Sequence, residues 1–275
     1  MAIKSYKKVI SLYAPVTGND FLYIIHNLHM QTNNAMLAGR ASYSVQSANE
    51  TVKSIPVDYL SFDGALGSYV QYIYMTPTFV NIRFGKWNEL LAAPQPEKKQ
   101  VYANLLFHFG RGMAFSRQQN FAGAGSELDL MRELMKDSSL LIPLSPFSAA
   151  IEGARIAEQI LLGVIHEDRK LYDGTIRHFH LADSIETNMV YNEPRDWLLN
   201  PKHYLGNAYL KAEQFSEAQK IFQKDLMNNN ENGWALFGLY QSLKSQKKNV
   251  ESKKLMARFK KAFARSDSKL TGPVF

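Results

Sequence analysis

Apolar positions along this chain recur at the three- and four-residue intervals of a helix face, and the clearest run lies between Leu199 and Glu231. Its centre, LGNAYLKAEQFSEAQKIFQKDL, puts Leu205, Gly206, Tyr209, Phe215, Ala218 and Phe222 on the facing sides of two helices separated by a polar turn. Gly206 and Ala218 are small enough to let two helix axes approach, while Leu205, Tyr209, Phe215 and Phe222 fill the seam. This stretch predicts an antiparallel helical hairpin.

The same pattern extends in both directions. Residues 1–19 read as a lead-in, with a helix expected to begin near Asp20 or Phe21. Two helices follow, joined at Ala38–Ala41, with Gly39 at the left-handed position after the first and Pro56 stopping the second. Leu66–Leu91 predicts another hairpin with its turn at Gly85, and Pro77 lies inside its first helix. An interior proline costs about 3 kcal/mol unless the helix bends or restarts, so a break is expected near Thr76. APQPEKK, around Pro94 and Pro96, is the linker candidate. The unit from Val101 to Asp137 carries Gly112, Phe115, Phe121, Ala124 and Leu128 in the reference spacing, although Gly123 and Gly125 weaken its second helix by up to about 1 kcal/mol each. In the next unit, Ala149–Thr187, Leu162 and Gly163 take the places of Leu205 and Gly206, with Phe179 and Ala182 on the second helix. A last hairpin follows Asn232, with Leu239, Leu243, Leu255, Met256 and Phe259 as its apolar set. No segment alternates convincingly as a strand, so the expected fold is all-α: divergent hairpins over 20–96, two over 97–198, two over 199–265, and an extended tail at 266–275.

The order Leu205, Gly206, Tyr209, Ala218, Phe222 around a polar turn resembles the tetratricopeptide repeat, whose period is about 34 residues. The chain as a whole resembles bacterial proteins built from that repeat. The resemblance implies a right-handed superhelix of five to six stacked antiparallel hairpins, acting as a non-enzymatic protein- or peptide-binding scaffold without a cofactor. It also implies a concave groove lined by the first helix of each unit, where Lys, Arg and Asn often grip the carboxylate end of a peptide. Carried onto this chain, the groove places are Asn200, His203, Asn207 and Lys211 in the fifth unit and Trp234, Phe237, Gln241 and Lys244 in the sixth. Asn207 falls where such repeats carry Asn, and His203 stands where they carry Lys. Trp234 and Phe237 either anchor a partner beside amide and cationic donors or pack between hairpins.

Charge and composition change this picture little. The net charge of +7 is concentrated between Gln241 and Leu270, where ten Lys or Arg face Glu251 and Asp267. The basic end reads as the solvated face of a capping helix, with an acidic protein partner as the functional alternative; aromatic residues do not interleave with the cations as nucleic-acid binding requires. Zero Cys excludes disulfides and thiolate chemistry. The N-terminal apolar run VISLYA is too short for a signal peptide, and no run suits a membrane span, so a soluble cytoplasmic protein is the default expectation. The first hairpin looks uncapped, which leaves self-association open. A metal-binding protein or metal-dependent enzyme is the rival reading: His26 and His29 share a helix face, with His108, His166 or His203 as a third ligand if the chain curls. His178 and His180 point to different faces. No HExxH, nucleophile elbow or phosphate loop is present, so catalysis is not expected.

Overall fold

A computed structural model gives the structure of residues 19–275, with side chains described from Phe21; the lead-in expected at 1–19 lies outside these residues except for its last position. Among the described residues the chain is all-helical, with one isolated bridge between Pro143 and Ala149 and no strand. The helices are α1 (Asn19–Leu37), α2 (Ala41–Lys53), α3 (Gly64–Tyr74), α4 (Thr76–Arg83), α5 (Trp87–Leu91), α6 (Val101–Arg117), α7 (Phe121–Leu134), α8 (Ala150–Asp168), α9 (Tyr172–Asn188), α10 (Pro201–Lys211), α11 (Phe215–Asn228), α12 (Gly233–Ser245) and α13 (Asn249–Ala262). The break expected near Thr76 is present, since α3 and α4 are separated at Met75 and Pro77 sits in the first turn of α4, where its missing N–H is harmless. No described helix is long and apolar enough to cross a membrane.

Six turns share one geometry. Gly39, Gly85, Gln119, Lys170, Glu213 and Lys247 all have a left-handed backbone, with φ between 59° and 66°. In each case the next residue's amide reaches back to a carbonyl five positions earlier, as in Leu171 N–H to His166 (2.9 Å) and Gln214 N–H to Tyr209 (2.8 Å). This is the Schellman closure of a helix end, and it delimits six hairpins. Only at the two glycines was the turn residue itself expected from sequence. At the other four a polar side chain accepts a conformation that costs about 1 kcal/mol or more.

The hairpins stack in sequence order. Helices α6, α8, α10 and α12 touch consecutively as one layer, while α7, α9 and α11 each lie against both their own partner and the first helix of the next hairpin. Close approach is set by glycine. A Cβ on Gly206 would lie 2.4 Å from the Phe222 ring and one on Gly238 would lie 2.3 Å from the same ring, so Phe222 is clamped between α10 and α12. Gly163 and Phe179 repeat the arrangement one hairpin earlier, with a Cβ-to-ring distance of 2.3 Å. Both aromatic rings are fully buried.

The stack also curls onto itself. The Trp234 indole on α12 donates to the Met36 carbonyl at the end of α1 (3.0 Å), and Arg83 at the end of α4 meets His203 on α10. The N-terminal hairpins thus lie against the inner layer of the C-terminal ones.

Two glycine substitutions should move stability in opposite directions. Gly206→Ala gains helix propensity but overlaps the Phe222 ring, so a net loss of about 1–3 kcal/mol is expected. Gly125 has nothing within 4 Å of its missing Cβ, so Gly125→Ala should stabilise by up to about 1 kcal/mol. Urea unfolding of both variants checks the signs.

Candidate functional site

The eight residues expected to line a groove do not share one surface. His203 is fully buried on α10, and its ring bridges two other side chains: Arg83 approaches Nδ1 (3.4 Å) and Nε2 faces Asp225 Oδ2 (3.1 Å). Burial holds the imidazole below its usual pKa, against the pull of Asp225. The neutral ring that fits accepts from the guanidinium at Nδ1 and donates from Nε2–H to the carboxylate. Burial works to raise Asp225, but its donors His203, Asn229 and Asn200 outweigh it and hold the carboxyl below the usual range. Asn200 is also spent on structure, since its side chain caps α10 by accepting from the Lys202 amide (2.9 Å).

Trp234 is likewise interior. Its ring lies under the Arg83 guanidinium at 4.7 Å and beside Phe84, Phe263 and Phe275. The groove place expected of His203 is therefore corrected, and of the two readings of Trp234 the packed one holds: Arg83 at the end of α4 lies against both side chains, with Phe84 beside Trp234. Asn207 donates to buried Glu167 (3.0 Å), and Lys211 reaches the other oxygen of the same carboxylate (3.0 Å) while staying 43% exposed. Burial would raise Glu167, but Arg117 and Lys211 more than offset it. Phe237 packs on Phe259 of α13 at 5.0 Å, and Lys244 stands over Tyr240.

What brings three of the eight together is the chain's own tail. The expected extension after residue 265 is tied down by Asp267, which accepts from the Ala41 and Ser42 amides at the start of α2 (2.5 and 3.0 Å), and by Ser266, which donates to Gly39 O. Further on, Gln241 donates to Thr271 O (3.0 Å), and Gly272 passes beside Asn207. Val274 is buried, and the Phe275 ring lies against Trp234 at 6.0 Å and over Gly85. A cleft of about 340 Å³, bordered by Trp87, Arg117, Asn207 and Lys211, stays open beside this segment.

The histidines are dispersed. His29 is buried edge-on to Tyr72 (5.5 Å), and burial lowers its pKa to about 3, with His26 adding to the shift. His108 pairs with Glu127 (2.6 Å), and His166 lies beside His178 with ring centroids 5.0 Å apart and planes tilted by 54°. His178 and His180 do diverge, toward Gln159 and Tyr209. Among the described residues no three His, Asp or Glu side chains gather as a metal-ligand set.

Sequence reasoning missed a second concavity. A pocket of about 50 Å³ lies among α3, α6, α8 and the 189–197 connection, walled by Tyr69, Tyr72, Tyr102 and Phe147 with Asp196 at its edge. Gly153 makes room for it, since a Cβ there would sit 2.2 Å from the Tyr102 hydroxyl. The tyrosines of SYVQYIY and the acid of YNEPRDW were the available signal, but they lie more than a hundred residues apart in sequence.

The neutral burial of His29 gives a pH prediction. Its folded pKa of about 3 lies below the unfolded 6.5, so its stability is present above 6.5 and lost as pH falls through the interval. At pH 5 the unfolded chain's uptake of this proton costs roughly 2 kcal/mol. Urea unfolding at pH 7 and pH 5 should show a smaller drop in His29→Gln than in the parent. No family model matches the chain, and no curated protein matches it either.

Proposed function

We propose that the protein is a non-enzymatic binding scaffold, a tetratricopeptide-like right-handed superhelix that holds an extended, apolar-ended peptide against α10 and α12. The observation that carries this reading is the course of residues 271–275 past Asn207, Lys211 and Gln241. Gln241 contacts a backbone carbonyl, which recognises extended chain without regard to side chain. Trp234 and Gly85 offer an apolar seat that Phe275 fills. A partner segment with the same features competes with residues 271–275 for this place. Lys211 and the exposed Lys253, Lys254, Lys260 and Lys261 favour acidic residues beside the apolar end.

Fluorescence anisotropy with a labelled peptide of sequence TGPVF, that of residues 271–275, tests the reading. The chain cut after Leu270 should bind it saturably and the intact chain should not. Gln241→Ala in the shortened chain should weaken binding roughly fivefold, the worth of one neutral hydrogen bond. A folded, shortened chain that ignores the peptide would count against the proposal.

A further inference from the structure

Asp196 is the one carboxylate at the tyrosine pocket, and it lacks a counter-ion among the described residues. Asn192 donates to its Oδ1 (2.8 Å), while Oδ2 has no hydrogen-bond partner. The neighbouring cations are committed elsewhere: Arg195 pairs with Glu186, and Lys202 pairs with Asp183 (2.6 Å) and Glu186 (3.4 Å). Burial raises the Asp196 carboxyl, and only Asn192 opposes the shift. The same burial, with the Asp196 charge adding to it, pushes Tyr69 up to about 12 and raises Tyr72 and Tyr102 as well. Near Asp196 the Trp197 indole N–H has no acceptor. The Tyr72 hydroxyl also has no hydrogen-bond partner.

A carboxylate removed from water among aromatic walls needs either a proton or a cation. The Tyr72 and Tyr102 rings lie nearly parallel with centroids 6.1 Å apart, and aromatic faces repel anions and attract cations through their negative quadrupoles. A neutral apolar ligand would leave Asp196 unpaired, and an anion would meet both charge and ring repulsion. A multivalent metal ion is a poor match, since one carboxylate is present and no third ligand gathers there. A quaternary ammonium would suit the rings but has no N–H to offer Asp196 Oδ2 or the Tyr72 oxygen. A primary ammonium offers three donors, and Ile142, Leu144 and Met189 supply an apolar wall for its alkyl stem.

We propose that this pocket binds a primary alkylammonium group, with Asp196 as counter-ion and the Tyr69, Tyr72 and Tyr102 rings as its cage. The inference is independent of the peptide reading, because the site lies on other elements and shares no residue with the tail segment. The ammonium can belong to a free amine or to a lysine side chain, and two probes separate these sources.

Isothermal titration of the full chain with n-butylammonium chloride is the test, with n-butanol, tetramethylammonium chloride and KCl as controls and Nα-acetyl-lysine methylamide as the lysine probe. Saturable heat with n-butylammonium and none with n-butanol or KCl is expected. The lysine probe binding more tightly than n-butylammonium would assign the pocket to a side chain, and the reverse to a free amine. Asp196→Asn should weaken binding at least roughly tenfold, the cost of one lost charge partner. Tyr69→Leu, which removes one face of the cage, provides a second variant should Asp196→Asn unfold. Equal binding of n-butanol, undiminished affinity in both folded variants, or no saturable heat at millimolar amine would overturn the proposal.

Discussion

The Phe222 ring lies between two helix positions that carry no side chain, and the spacing of the C-terminal hairpins depends on that contact. With a Cβ at Gly206 or Gly238, the ring would have to retreat and α10 and α12 would separate. Phe179 over Gly163 applies the same constraint one hairpin earlier. Because each large ring comes from the second helix and each glycine from a first helix, the first helices form one layer and the second helices another. The common left-handed turn then returns every second helix in the same sense.

The first-helix layer of the C-terminal hairpins is met by the N-terminal half of the chain. The end of α4 brings Arg83 to His203 and Trp234, where a neutral imidazole and an indole face contact the guanidinium and the nearby Asp225 charge favours it, while its second terminal nitrogen stays buried without a hydrogen-bond partner. The neighbouring network works in a similar way, with Glu167 held ionised by Arg117, Lys211 and Asn207. Both networks serve cohesion, and residues 271–275 are held beside them through Gln241, which donates to the Thr271 carbonyl.

Periodicity is a local signal, and what was legible in the sequence divides along that line. Hairpin boundaries, the glycine seam at Gly163 and Gly206, the restart at Pro77 and the turns at Gly39 and Gly85 were readable, because each follows from residues within one or two turns of helix. The turns at Gln119, Lys170, Glu213 and Lys247 were not, since no composition rule marks a polar residue that accepts positive φ under tertiary restraint. Helical spacing grouped His203 and Trp234 on first helices but could not say that Arg83, more than a hundred residues earlier, would lie against both. The tyrosine pocket escaped notice for the same reason, as α3, α6, α8 and the 189–197 connection meet only through the curl of the whole stack.

Nuclear Overhauser contacts in the labelled full chain bear most directly on this clamp. Phe222 ring protons should show strong contacts to the α-protons of both Gly206 and Gly238, with those α-protons shifted upfield by the ring. Random-coil α-proton shifts at the two glycines, with contacts from Phe222 to neither, would contradict the stacked-hairpin account.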